Sequence, residues 1–382
     1  MTTDFDSKFT FFLEGINMSE WKEYKLGDIA DVRDGTHDSP KASSDGYPLV
    51  TSKNLKGGYI DLSNSYLISK SDYDFINQRS KVDKWDVLFS MIGTIGECAI
   101  VKQEPDYAIK NVGLFKTGGD KLLAQWIYYY FHSQQAKNEI NACIKGSTQQ
   151  YISLTDLRNF PIVLPSKERQ YEIVSILSSL DDKIDLLHRE NATLEAMAET
   201  LFRQWFIEEA KEDWKEVLLD DIAFLSAGGD KPKRVSHSCT EDCNVPIYSN
   251  GVENEGLYGY TDIPKIMDES VTISARGTIG YVVLHTEPFV PIVRLITLIP
   301  KECITSKYLY YLLKNQNIEG TGTTQQQLTV PDLKKIKVLL PEKILIDKFT
   351  NEVNVYYDKI LVNKKNIGVI VKIRDGLLKC LY

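Results

Sequence analysis

Short runs of lysine, arginine, asparagine, glutamine and threonine, set among glycines, carry the chemistry of this chain. In the N-terminal half they are residues 33–41 (Arg33, Thr36, His37, Lys41), 51–58 (Lys53, Asn54, Lys56), the Gly93 turn with Thr94, and 145–150 (Lys145, Ser147, Gln149, Gln150). In the C-terminal half they are 228–234 (Lys231, Lys233, Arg234), 249–255 (Asn250), 276–280 (Arg276, Thr278) and 320–327 (Thr323, Gln325, Gln326). Lysine and arginine offer cations to phosphates, while arginine, asparagine and glutamine present paired donors and acceptors to base edges. One such run alone is an ordinary polar turn. Two matched sets of four, with different residues at their tips, describe a nucleic-acid surface made twice over and tuned to two sequences.

Catalytic patterns are missing from the sequence. It has no phosphate loop ending in Gly-Lys-Ser/Thr, no Gly-x-Gly-x-x-Gly after a strand and no Gly-x-Ser-x-Gly elbow. An Asn-Pro-Pro or Asp-Pro-Pro sequence that would hold a flipped base is also missing. His37, His132, His188, His237 and His285 are scattered. His237, Cys239 and Cys243 lie close together but lack the fourth ligand and second cluster of a usual zinc site, so no metal is expected. The six cysteines do not recur between the halves, and no disulfide framework is read from them.

The elements that position these runs are also duplicated. "WKEYKLGDIADV" from Trp21 is echoed by "WKEVLLDDIAFL" from Trp214, and "GTIG" at Gly93 returns at Gly277. "STQQYISLTDLRNFPIVLPSKE" from Ser147 returns as "TTQQQLTVPDLKKIKVLLPEK" from Thr323. A repeat this long is a duplicated domain, not a solenoid unit. Within each copy, "VLFSMI" and "VTISA" read as strands running into the Gly-Thr-Ile-Gly turn. "LLAQWIYYYFHSQQAKNEI" from Leu122 and "SKYLYYLLKNQ" from Ser306 read as helices. Their tyrosines (Tyr128, Tyr129, Tyr130, Tyr310, Tyr311) are assigned to the core in preference to base stacking.

Each copy is followed by a long helix. Ile173, Leu177, Leu180, Ile184, Leu187, Asn191, Leu194, Ala198, Leu201 and Trp205 alternate in steps of four and three. Phe349, Val353, Tyr356, Ile360, Asn363, Ile367, Ile370, Arg374, Leu377 and Leu381 repeat the pattern. These are heptad rows, each interrupted by one asparagine. A helix of ~40 residues spans about 60 Å and cannot bury such a stripe alone. The other copy is the natural partner, antiparallel about a pseudo-twofold axis, with Asn191 facing Asn363.

The net charge of −8 gives no support of its own to nucleic-acid binding. The acidity is concentrated in residues 166–213, which carry six basic against twelve acidic side chains; residues 341–382 carry eight against five. Opposite charge therefore favours pairing of the two helices. No apolar run approaches the roughly 18–20 residues of a membrane helix. Residues 1–17 lack the basic start of a secretory signal and read as a dispensable leader, so a cytoplasmic location is expected.

The order domain, helix, domain, helix resembles the specificity subunit of Type I restriction–modification enzymes, carried by "WKEYKLGDIADV", "GTIG", "GSTQQYIS" and "FPIVLPSKERQYEIVSIL". The resemblance implies an α+β protein: target recognition domains at 18–165 and 214–340, helical regions at 166–213 and 341–382. It implies a non-catalytic subunit that reads a bipartite site in double-stranded DNA. Two modification subunits would dock on the helices, bringing S-adenosylmethionine and methylating adenine N6, and restriction/motor subunits would join them for cleavage. No cofactor is expected in this chain. Ile344-Leu345-Ile346 stands where the first copy has Glu168-Arg169-Gln170, which predicts unequal docking surfaces. The rival readings are a free-standing DNA-modifying enzyme and a two-headed protein scaffold.

Overall fold

The computed structural model describes residues 21–146, 150–316, 318 and 327–381. The chain divides into two units, one spanning Met1–Leu186 with Asn366–Tyr382 and the other Leu187–Lys365. Both long helices, Lys167–Arg203 and Lys343–Leu381, contribute to each unit.

In the first unit a four-stranded antiparallel sheet runs in the order Asp31–Asp34, Val112–Lys116, Val87–Ser90, Cys98–Ile100. Val87–Ser90 is buried along its whole length because both faces are covered. Val87 and Phe89 pack on Trp126, Tyr130 and Phe131 of the helix Lys121–His132, while Leu88 joins Val50, Tyr107 and Leu114 opposite. Successive strand residues point to opposite faces, so an unbroken apolar run is what such a strand requires. Tyr47–Val50 lies between Leu67–Ile68 and, in parallel, Ala108–Ile109; Lys22–Lys25 pairs with Pro161–Leu164.

The second unit repeats this topology. Its sheet runs Ala223–Ala227, Ile296–Pro300, Ser270–Ile273, Val282–His285. Val245–Tyr248 lies between Leu257–Thr261 and, in parallel, Val290–Pro291; Lys215–Leu218 pairs with Lys337–Leu340. Val271 and Ile273 face the aromatic core of Phe202, Tyr308, Tyr311 and Phe349. On the opposite face Thr272 and Thr297 replace the first unit's Leu88 and Leu114, and Thr272 Oγ1 lies 2.8 Å from His285 Nε2.

The expected single helix from Leu122 is two. Ser133 caps the second, Gln134–Cys143, by accepting from the Ala136 amide at 3.1 Å, so the chain turns where sequence periodicity ran on. Tyr129, Tyr130 and Tyr311 are buried and Tyr128 and Tyr310 half-buried, so these rings belong to the core.

Helix pairing is antiparallel within each unit. In the first, Ile173, Val174 and Leu177 share a core with Leu377, Leu378 and Leu381, and Arg374 pairs with Asp181 at 2.9 Å. In the second, Ala198 and Phe202 meet Ile346, Phe349 and Val353. Farther along the same pair, Asn363 Nδ2 donates to Asn191 Oδ1 at 2.9 Å and to Glu190 Oε2 at 3.0 Å. Ile184, Leu187 and Ile360 are buried, whereas Leu180, Leu194, Leu201, Tyr356, Ile367 and Ile370 are half-buried.

Candidate nucleic-acid interface

Three strand ends meet on one edge of each four-stranded sheet. In the first unit Gly113 is paired with Asp34, the last residue of its strand, and Val112 with Ser90, where the Gly93 turn departs. Gly35 crosses this edge so closely that a Cβ there would lie 2.4 Å from the Ile109 carbonyl oxygen. Its amide donates to Val112 O at 2.9 Å, Thr36 N to Ile109 O at 3.0 Å, and Asn111 N to Thr36 O at 3.1 Å. Lys110 N reaches Val50 O at 2.9 Å, joining the run that begins at Thr51. Lys145 and Tyr151 exchange backbone bonds at 2.9 Å, and Ile152 N reaches Met91 O at 3.0 Å beside the Gly93 turn. Backbone bonds and sheet pairing thus connect the four runs.

The second unit builds the same edge. A Cβ on Gly228 would lie 2.8 Å from the Pro291 carbonyl carbon. Gly228 N donates to Leu295 O at 2.8 Å, Val293 N to Gly229 O at 2.9 Å and Ile292 N to Tyr248 O at 2.9 Å. Asn250 ties three loops together, its Nδ2 donating to Val293 O at 2.8 Å and its Oδ1 accepting from Ala275 N at 2.7 Å. Leu328 N reaches Ala275 O at 3.0 Å, and Arg276 contacts Gln327, the one described residue of the last run, at 3.2 Å.

The candidate residues now separate by role. Lys41, Lys53, Lys56 and Lys233 are exposed and form no ion pair among the described residues. Thr94, Thr278 and Gln150 are exposed, and Thr36 is half-buried at the edge. Lys145 is held by both carboxylate oxygens of Asp156, at 2.8 and 2.6 Å, and Arg234 by Asp242 at 3.0 Å. The Lys145 ammonium pulls the Asp156 carboxyl below its ordinary range. Ion pairs this exposed contribute little, so a phosphate can displace them. Lys231 lies over Tyr258, 4.8 Å from the ring centroid, with its Nζ 2.7 Å from the hydroxyl. Arg33 is turned back along its strand onto Asp31 at 2.6 Å and the Arg79 carbonyl at 3.0 Å.

Two asparagines expected to make base or sugar-phosphate contacts have their side chains engaged in bracing the fold. Asn54 is buried; its Oδ1 accepts from Thr51 N at 2.8 Å, and its Nδ2 donates to Asp61 O at 2.8 Å and Ser65 Oγ at 2.9 Å. Asn250 likewise has both amide ends committed to backbone. Ser147, Gln149, Thr323, Gln325 and Gln326 lie outside the described residues.

Sequence reasoning missed the turn that enters the sheet at this edge. His37 sits between Asp34 (Nε2 to Oδ2, 2.9 Å) and Asn111 (Nδ1 to Oδ1, 2.8 Å), and Asp34 also pairs with Arg79. Asn111, between Lys110 and the apolar run at 112–115, was the available signal, because asparagine tolerates the left-handed region that it adopts here.

The geometry describes a binding surface. The buried Cys98 Sγ lies 3.7 Å from His132 Nδ1, but burial pushes the thiol up and the imidazole down, which opposes formation of a thiolate–imidazolium pair. Among the described residues no group of three or more His, Cys, Asp or Glu side chains gathers to hold a metal. In the 237–243 segment, Thr240 and Cys243 close a turn, with Thr240 N to Cys243 O at 3.0 Å. Among the described residues no helix is long and apolar enough to cross a membrane.

Comparison with known proteins identifies the class. The chain belongs to the Type I restriction modification DNA specificity domain family, whose model matches residues 18–196 and again 211–375. It is similar to the MjaIX specificity subunit of Methanocaldococcus jannaschii, 24% identical over 94% of this chain and 92% of that one. It is also similar to the HindI specificity subunit of Haemophilus influenzae, 23% identical over 94% and 98%. The crystal structure of the S subunit from M. genitalium has the same fold, with a TM-score of 0.55, 18% identity and coverage of 95% and 96%. The molecule is accordingly a non-catalytic DNA specificity subunit with two target recognition domains. Such a subunit works in a complex with DNA, modification subunits and restriction subunits.

Proposed function

We propose that each unit reads one half of a bipartite site in double-stranded DNA through the glycine-locked sheet edge. Lys41, Lys53, Lys56, Lys145, Lys231, Lys233, Arg234 and Arg276 are phosphate or guanine contacts in this reading. Thr36, Thr94, Thr278 and Gln150 lie beside them. The paired helices set the spacing between half-sites and dock two modification subunits. Those subunits supply S-adenosylmethionine and transfer its methyl group to adenine N6 of a flipped base; restriction/motor subunits join for cleavage, in the cytoplasm. Exposed Ile344 against exposed Glu168 supports unequal docking surfaces on the two helices.

One observation carries the reading. The same edge, held by the same glycine contact, occurs in both units with different side chains at its tips. The test replaces residues 20–160 with the matching segment of another specificity subunit and maps methylated adenines in cells that supply modification subunits. One half of the methylated motif should change and the other half should stay. An unchanged motif refutes the assignment.

A further inference from the structure

We infer that the turn feeding the central strand of each sheet carries the residue that fixes base preference: Asn111 in the first unit and Arg294 in the second. The inference rests on the reading that these sheet edges face DNA.

The two turns are matched by their hydrogen bonds. Lys110 N binds Val50 O as Ile292 N binds Tyr248 O, both at 2.9 Å. Asn111 N binds Thr36 O as Val293 N binds Gly229 O. Gly35 N then meets Val112 O, and Gly228 N meets Leu295 O. Asn111 and Val293 are therefore equivalent, and Arg294 is one extra residue inserted before the strand resumes. All three have left-handed backbones, with φ of 53° at Asn111, 52° at Val293 and 62° at Arg294. That region is costly for an arginine and more so for a β-branched valine, and it persists where the surroundings enforce it. Here the enforcement comes from the Gly228 contact and from Asn250, whose Nδ2 holds the Val293 carbonyl at 2.8 Å.

Strain at this point has a consequence for recognition. Val293 is 51% exposed despite its apolar side chain, and Arg294 is exposed, with no ion pair or side-chain hydrogen bond among the described residues. A free guanidinium on a rigid turn suits the O6/N7 pair of guanine, where its planar fork binds twice. In the first unit His37, whose Nε2 lies on Asp34, approaches Asn111 Oδ1 through Nδ1, and Asn111 Nδ2 has no hydrogen bond among the described residues. That amide suits the N6/N7 edge of adenine. Different residues in one structural slot are what two half-sites of different sequence require.

The experiment uses the full chain with its modification subunits, maps methylated adenines, and measures methylation rates on the motif and its single-base variants. Arg294→Lys keeps the charge and the backbone demand but loses the fork. It should lower discrimination at one guanine of one half-site by roughly 5- to 150-fold, the equivalent of one good bidentate pair. Asn111→Ala should do the same at one adenine of the other half-site. Arg294→Gly relieves the backbone, so loss of preference with an undiminished melting temperature excludes misfolding as the cause. If both variants retain the full motif, the inference is overturned while DNA reading by the surrounding loops stands. If removing the whole chain leaves the methylation pattern unchanged, the underlying reading fails instead.

Discussion

Replacing Asn191 and Asn363 by leucine, singly and together, tests what a buried amide pair does in an otherwise apolar helix seam. Asn363 is fully buried and donates to Asn191 and Glu190, while its own Oδ1 has no partner among the described residues. Asn363→Leu strands the Asn191 carbonyl, and a buried polar atom left unmade costs ~1–3 kcal/mol. It also costs Glu190 a donor, leaving that carboxylate with Lys359 at 3.4 Å. Against this, burying a leucine side chain contributes ~1.5–3 kcal/mol where it fits. Each single variant should therefore lie near or below the parent. The double variant removes both amides and should exceed the sum of the singles by roughly 1–3 kcal/mol. Urea unfolding of all four proteins measures that coupling. Additivity within about 0.5 kcal/mol would refute an energetic pair. The compensating gain expected of such a pair is register, so the double variant should methylate sites whose half-site spacing departs from the parent's. A spacing as narrow as the parent's would confine the pair to stability alone.

Two further predictions concern single units. His285 is buried between Tyr248 and Phe289, and burial pushes its imidazole down to about 4. Because the folded value lies below the unfolded one, stability is full above the ordinary histidine range and is lost as pH falls through it; linkage gives about 2 kcal/mol between pH 7 and pH 5. Urea midpoints at the two pH values should show the loss in the parent and much less of it in His285→Phe; equal slopes would exclude a neutral buried imidazole. Asn54→Ala removes four hydrogen bonds around a buried turn and should cost about 2–3 kcal/mol of first-unit stability while leaving the methylated motif unaltered. A changed motif would return Asn54 to the base-reading set.

The duplication and the helix pairing were legible because both are periodic. Repeated blocks such as "GTIG" need no packing information to be seen, and a seam such as Leu177 to Leu187 follows from the helix turn alone. The break at Ser133 was not legible, because Gln134–Cys143 continues a helical composition and only the cap marks the corner. At the interface the limit is different in kind. Asparagine serves equally to brace a loop or to read a base, and burial is what separates Asn54 from Asn111. Burial is a tertiary quantity, so residue type alone does not sort the polar runs. The same limit hides the exposed, left-handed Arg294 within the apolar run "IVRLITL".

The two sheet edges show how specificity changes without disturbing the scaffold. Gly35 and Gly228 hold the crossing chain against backbone, where a side chain of any size would have to displace the adjoining strand. The additional Arg294 lies beyond that lock. One more residue in a surface turn adds little to the entropy of closing it, whereas one more residue inside a paired strand would turn every later side chain to the opposite face. Ile296–Pro300 keeps its register with both neighbours because the insertion falls just before it. Reach and chemistry toward a ligand are therefore adjustable at the turn, one residue at a time, while the core behind it stays fixed.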